Sequence, residues 1–130
     1  MTQKIFIIGA GRSTSSLIKY LINVSAKNNF ELTIGDKDVS LIKDKIDSFS
    51  NSRIVCLGEI NNCIDYLKLS DYFVLSSYYE GMPISLIEAF SCNCIPIATP
   101  VGAMIEMIDK DGGFYSSMYA DSEGIEGKYY

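Results

Sequence analysis

Short apolar runs alternate with amphipathic stretches along this 130-residue chain. The first run, Ile5-Phe6-Ile7-Ile8, lies between Lys4 and Gly9. So short and uniformly apolar a run predicts a strand over 4–8 that is buried on both faces. Residues 13–23 then place Leu17, Ile18, Leu21 and Ile22 at helical spacing, which predicts a helix with one apolar stripe. The same reading gives strands over 31–34, 53–57, 72–75 and 95–98, and a last short one over 113–116. It gives helices over 39–49, with Leu41, Ile42 and Ile46 inward, and over 61–69, 83–92 and 101–108.

Strands and helices in strict alternation predict a doubly wound α/β domain with a mainly parallel, Rossmann-like sheet. No linker, low-complexity stretch or fixed-period repeat divides the chain, so a single domain over 1–130 is expected. Within it, 1–50 and 51–118 carry different motifs. The polar stretch 119–130 is expected to be a loosely held tail.

Composition narrows the function more than the fold. The hydrophobic fraction of 48% is that of a globular protein, and the net charge of −5 argues against a nucleic-acid footprint. The apolar run 5–8 is too short for a signal segment or a membrane span, so a cytoplasmic protein is expected. There is no histidine, which excludes His-based triads and His metal sites and removes the commonest general base. Cys56, Cys63, Cys92 and Cys94 form no pair with the two-residue spacing of zinc or redox motifs. They are expected to be free, mostly buried thiols, and no metal site is expected.

The candidate chemistry is concentrated in residues 79–96. Glu80 and Glu88 stand with seven residues between them, around the turn Gly81-Met82-Pro83. Pro suits the first position of a helix, because its missing N–H is not needed there. The amides of Ile84 and Ser85 would then be free to hold a phosphate. One short segment thus offers a carboxylate, a phosphate cradle and a second carboxylate. That order suits a sugar–diphosphate–ribose ligand, since carboxylates accept from hydroxyls and amides donate to phosphate.

This segment resembles the donor-site signature of the group 1 retaining glycosyltransferases, which have the GT-B architecture. The pattern is Glu80-Gly81-x-Pro83 followed by Glu88-Ala89, and it runs on through Ile95-Pro-Ile-Ala-Thr-Pro-Val-Gly102. Upstream, Leu57-Gly58 and the words from Ser70 to Ser77 extend it, so the likeness covers about 53–114. It implies that Glu80 contacts the donor sugar, that Glu88 contacts the ribose, and that the amides near Ile84 and Ser85 hold the diphosphate. It further implies transfer of a sugar from a nucleotide-sugar to a saccharide or lipid-linked acceptor, in polysaccharide biosynthesis, without a separate cofactor. Complete GT-B enzymes have two such domains, and this length suits one. An acceptor-binding domain or partner chain is therefore expected for turnover.

The N-terminus carries a second motif. Gly9-Ala-Gly11-Arg-Ser-Thr14 follows the first strand and opens the first helix, as most of a dinucleotide fingerprint does. Asp36, 25 residues after Gly11, ends the next strand, where a carboxylate can accept from the ribose hydroxyls of NAD. Thr14 replaces the third glycine. Residues 4–46 resemble the NAD(P)-binding start of the saccharopine dehydrogenase family. That resemblance implies an NAD(P)-binding fragment held by Gly9, Gly11 and Asp36, or a chimera of the two families. Alternatively, glycosyltransferase C-terminal domains also open strand–Gly-Arg–helix, and Gly11-Arg12 stands there. In that reading Arg12 offsets the leaving diphosphate, while Ser13 to Ser16 lack the Lys that usually accompanies it. A non-catalytic α/β domain is the third reading.

Overall fold

A computed structural model describes residues 1–9, 11–25, 27–40, 43 and 54–115. β1 (Gln3–Ile8) leads into α1 (Arg12–Ser25), and β2 (Phe30–Gly35) follows. Then come β3 (Ile54–Leu57), α2 (Cys63–Lys68), β4 (Tyr72–Leu75), α3 (Ile84–Ser91), β5 (Ile95–Ala98), α4 (Met104–Asp111) and β6 (Phe114–Tyr115). The strands form one sheet in the order β3-β2-β1-β4-β5-β6, and each recorded pairing is parallel. The doubly wound parallel sheet read from the alternation is therefore the fold.

Period-two alternation sorts the strand side chains between two cores. Ile5, Ile7, Leu32, Ile34 and Val74 pack on one face of the sheet, against Ile18 and Ile22 of α1. Phe6, Phe73, Leu75 and Ala98 pack on the other, against Leu67 of α2, Leu86 and Ala89 of α3, and Met104 and Ile108 of α4. Both faces of β1 and β4 are thus covered, which is why their sequences are continuously apolar. Phe6 lies at the centre of the second core, with its ring 5.7 Å from that of Tyr66 and 6.2 Å from that of Phe73.

Several boundaries differ from the sequence reading, the helix expected over 61–69 among them, which spans only Cys63–Lys68. Pro83 is the N-cap of α3 rather than its first residue, with extended backbone at φ −72° and ψ 118°. The helix expected over 101–108 begins only at Met104, because the Val101–Ala103 stretch is spent on a turn. Of the helix expected over 39–49, Val39, Ser40 and Lys43 are helical, and the remainder lies outside the described residues, as does the tail 119–130. The four cysteines are free as expected, but only Cys94 is fully buried. Cys56 and Cys63 sit on core-facing sides near the rim, and Cys92 caps the end of α3.

Truncating Phe6 empties the middle of one core on the central strand. Phe6→Ala is expected to destabilise the chain by about 3–5 kcal/mol. Urea unfolding followed by far-ultraviolet circular dichroism checks this, and a loss near zero would contradict the packing described.

Candidate functional site

The sheet order places β1 beside β4, although 63 residues separate the last residue of one from the first of the other. α1 leaves β1 across one face of the sheet, and α3 leaves β4 across the opposite face. The two connections diverge at the carboxyl edge and leave a crevice there, where open α/β sheets bind ligands. Gly9 and Gly11 after β1 and residues 76–83 after β4 border it. The second of these loops holds Glu80, Gly81 and Pro83.

The loops are joined at their base. Ser76 Oγ donates to Thr14 Oγ1 at 2.9 Å, and both side chains are buried. Thr14 stands where a dinucleotide fingerprint has its third glycine, and here it links α1 to the end of β4. Gly9 takes φ +87°, in the left-handed region that glycine tolerates, and its amide donates to Gly35 O at 2.8 Å. Arg12 opens α1 in sequence, but its side chain lies outside the described residues. Asp36 closes a local turn beyond β2, where its Oδ1 accepts from the Asp38 amide at 2.8 Å.

The loop carrying Glu80 is clamped by the turn between β5 and α4. Thr99 Oγ1 donates to Ser77 O at 2.6 Å, and the Ala103 amide donates to Gly81 O at 3.0 Å. Between these bonds, Gly102 has φ +56° and lies directly against the Glu80 backbone. A Cβ on Gly102 would collide with the Glu80 carbonyl oxygen and lie 2.9 Å from that of Gly81. Glu80 itself is half-buried beside the exposed Tyr79.

From this loop the chain enters α3. The Leu86 amide donates back to Pro83 O at 3.1 Å. The amides of Ile84 and Ser85 are the first of the helix, so geometry gives them no acceptor within it. The helix dipole adds a partial positive charge at the same point. Glu88 lies on the second turn and is half-buried. Its Oε2 accepts from Cys63 Sγ on α2 at 2.9 Å. Burial, and then Glu88 itself, push the Cys63 thiol up to about 11, so it stays protonated at neutral pH. On the other side of the first turn of α2 lies a depression of about 360 Å³. Leu57 through Asn62, Asp65 and Tyr66 line it, beyond the carboxyl end of β3. Glu88 is not one of its lining residues.

The structure thus gathers Glu80, Gly81, Pro83, Ile84 and Ser85 into one loop-to-helix unit at the sheet's carboxyl edge, with Gly9 and Gly11 on the neighbouring loop. Glu88 lies a turn further along, toward α2. Sequence reasoning missed the Cys63 partner of Glu88 and the clamp of Thr99, Gly102 and Ala103. Nothing in the sequence singles out Cys63. The Pro100-Val-Gly102 turn, by contrast, was a readable sign that a backbone approaches closely there. Among the described residues no cluster of His, Cys, Asp or Glu could hold a metal ion, and no helix is long and apolar enough to cross a membrane.

The clamp carries a stability prediction. Thr99→Val removes one hydrogen bond to a loop carbonyl and should cost about 0.5–1.5 kcal/mol, with Thr99→Ser close to neutral. Gly102→Ala should cost at least about 1 kcal/mol from the left-handed backbone alone, and more from the collision with Glu80. Denaturant midpoints of the three variants check this order, and a Gly102→Ala chain as stable as the parent would contradict it.

A family model described as glycosyl transferases group 1 matches residues 4–125. The capsular polysaccharide biosynthesis glycosyltransferase CapH of Staphylococcus aureus is 35% identical over 95 residues, 72% of this chain and 26% of that protein. The N,N'-diacetylbacillosaminyl-diphospho-undecaprenol alpha-1,3-N-acetylgalactosaminyltransferase of Campylobacter jejuni is 29% identical over 100 residues, 77% of this chain and 26% of that protein. The chain therefore spans about a quarter of the length of these relatives. Among solved structures, Anabaena Alr3699/HepE in complex with UDP and glucose superposes with a TM-score of 0.71 at 14% identity, covering 89% of this chain and 35% of that one. The family match includes residues 4–46, so the glycine-rich start falls within the same family as the rest. The resemblance of that start to saccharopine dehydrogenases, and with it the NAD(P) site and the chimera, finds no support.

Proposed function

Because the chain belongs to the group 1 glycosyl transferase family, we propose that it is the donor-binding domain of a retaining enzyme that moves a sugar from a nucleotide-sugar to a saccharide or lipid-linked acceptor. Both stretches of the chain, 1–50 and 51–118, serve one site in this reading. The amides of Ile84 and Ser85 hold the diphosphate, with Gly81 and Pro83 shaping the turn before them. Glu80 meets the donor sugar and Glu88 the ribose. Arg12, at the start of α1, offsets charge on the departing diphosphate. The depression beyond β3 lies on the same edge of the sheet and has room for a nucleobase. No separate cofactor is required.

One observation carries the reading. The loop from Glu80 to Pro83 is held at the sheet's switch point and runs directly into a helix whose first amides are free. That arrangement presents donors where negative charge gathers as the sugar leaves, and it is preorganised, so little rearrangement is needed in the transition state. No general base is required of a histidine, and the chain has none. The acceptor is left to a further domain or a partner chain.

Calorimetric titration with UDP, GDP and their sugar conjugates tests the reading. A nucleoside diphosphate should bind more tightly than the nucleoside, since the helix start holds phosphate. Glu88→Ala should weaken nucleotide and nucleotide-sugar alike by about 1.5–3 kcal/mol, the loss of a hydrogen bond to a charged group. Glu80→Ala should spare the diphosphate and weaken only the sugar-bearing donor. NADH in the same series should bind weakly or not at all. If neither glutamate variant changes any affinity, the donor-site reading is wrong.

A further inference from the structure

We infer that Cys63 is a positioning residue for the ribose-binding carboxylate: its thiol fixes Glu88 by one oxygen and leaves the other to accept from a ligand hydroxyl. The inference rests on the donor-site reading of Glu88 and adds a residue to it. Cys63 opens α2 and Glu88 lies on α3, 25 residues later, yet Sγ and Oε2 are 2.9 Å apart. The two helices pack on the same face of the sheet, so the contact is set by the core beneath them. A glutamate on a helix otherwise samples several rotamers, and a ligand must freeze that freedom on binding.

The chemistry of the thiol suits this task. A carboxylate has about four acceptor sites, and a thiol supplies one weak donor. Cys63 therefore orients Glu88 without exhausting it and without cancelling its charge, as a Lys or Arg in its place would. Burial and the neighbouring carboxylate keep the thiol protonated, so it donates rather than repels. Its position also joins two parts of the proposed site. Asn62 and Asp65, its neighbours on the first turn of α2, line the depression beyond β3, and Cys63 turns the other way to Glu88.

A double-mutant cycle on the full chain tests this, with UDP and GDP as probes and melting temperature as a control. Cys63→Ala should weaken nucleotide binding by about 3- to 10-fold, the scale of one hydrogen bond. Cys63→Ser, which keeps a donor, should restore most of the affinity. In the Glu88→Ala background, Cys63→Ala should have no further effect on binding. Cys63→Val, similar in size and without a donor, takes the place of Cys63→Ala if the smaller residue prevents folding. Equal losses with and without Glu88, or no loss at all while Glu88→Ala still weakens binding, would overturn the positioning role and leave the donor reading standing. A parent chain that binds neither nucleotide, or a Glu88→Ala chain that binds like the parent, overturns the donor reading itself.

Discussion

The parallel pairing of β1 with β4, registered Ile5 to Tyr72 and Ile7 to Val74, is the contact on which the other features depend. It joins the two halves of the chain into one sheet and buries both strands on both faces. It also makes the connections leave in opposite directions. α1 covers one face and α2, α3 and α4 cover the other, so the crevice at the carboxyl edge follows from topology. The buried Ser76–Thr14 hydrogen bond closes the floor of that crevice. A buried polar pair of this kind is costly unless satisfied, so it favours a single relative placement of the two loops.

Loops at such edges usually move, and a site on a mobile loop loses affinity to ordering. Here the neighbouring turn removes that freedom. Thr99 and Ala103 hold two carbonyls of the loop, and Gly102 lets the two backbones touch. The positive φ of Gly102 is therefore explained by its neighbour: only a residue without Cβ fits against Glu80. The Glu80 backbone and the start of α3 are thus held by contacts to the loop carbonyls.

The site's chemistry is set by what the chain lacks as well as by what it has. The chain has no histidine, and the groups gathered at this edge among the described residues are carboxylates, backbone amides and a helix dipole. On the proposed donor-site reading these groups would hold a departing diphosphate and a sugar, a step that needs positioning and fixed dipoles more than proton transfer. The depression beyond β3 and the Cys63–Glu88 contact lie further along the same sheet edge.

The element types were legible in the sequence, because burial imprints a period on each one. Continuous apolar runs marked the two-faced strands at Ile5–Phe6–Ile7–Ile8 and at 72–75, and the stripe of Ile18 and Ile22 marked α1. Also legible was the loop-to-helix unit from Glu80 to Ser85, whose signals are local: a glycine, a proline and the amides that must follow. What meets that unit came from the fold. Thr14 looked like a defect in a dinucleotide fingerprint, and the fold uses it as the partner of Ser76, 62 residues away. Cys63 carried no mark in the sequence, because its meaning lies in a carboxylate on another helix. The start of α4 slipped to Met104 because the Glu80 loop needs the preceding turn as its clamp. Periodicity records whether a residue is buried. Which residue it is buried against depends on strand order and helix placement, which no local window of sequence contains.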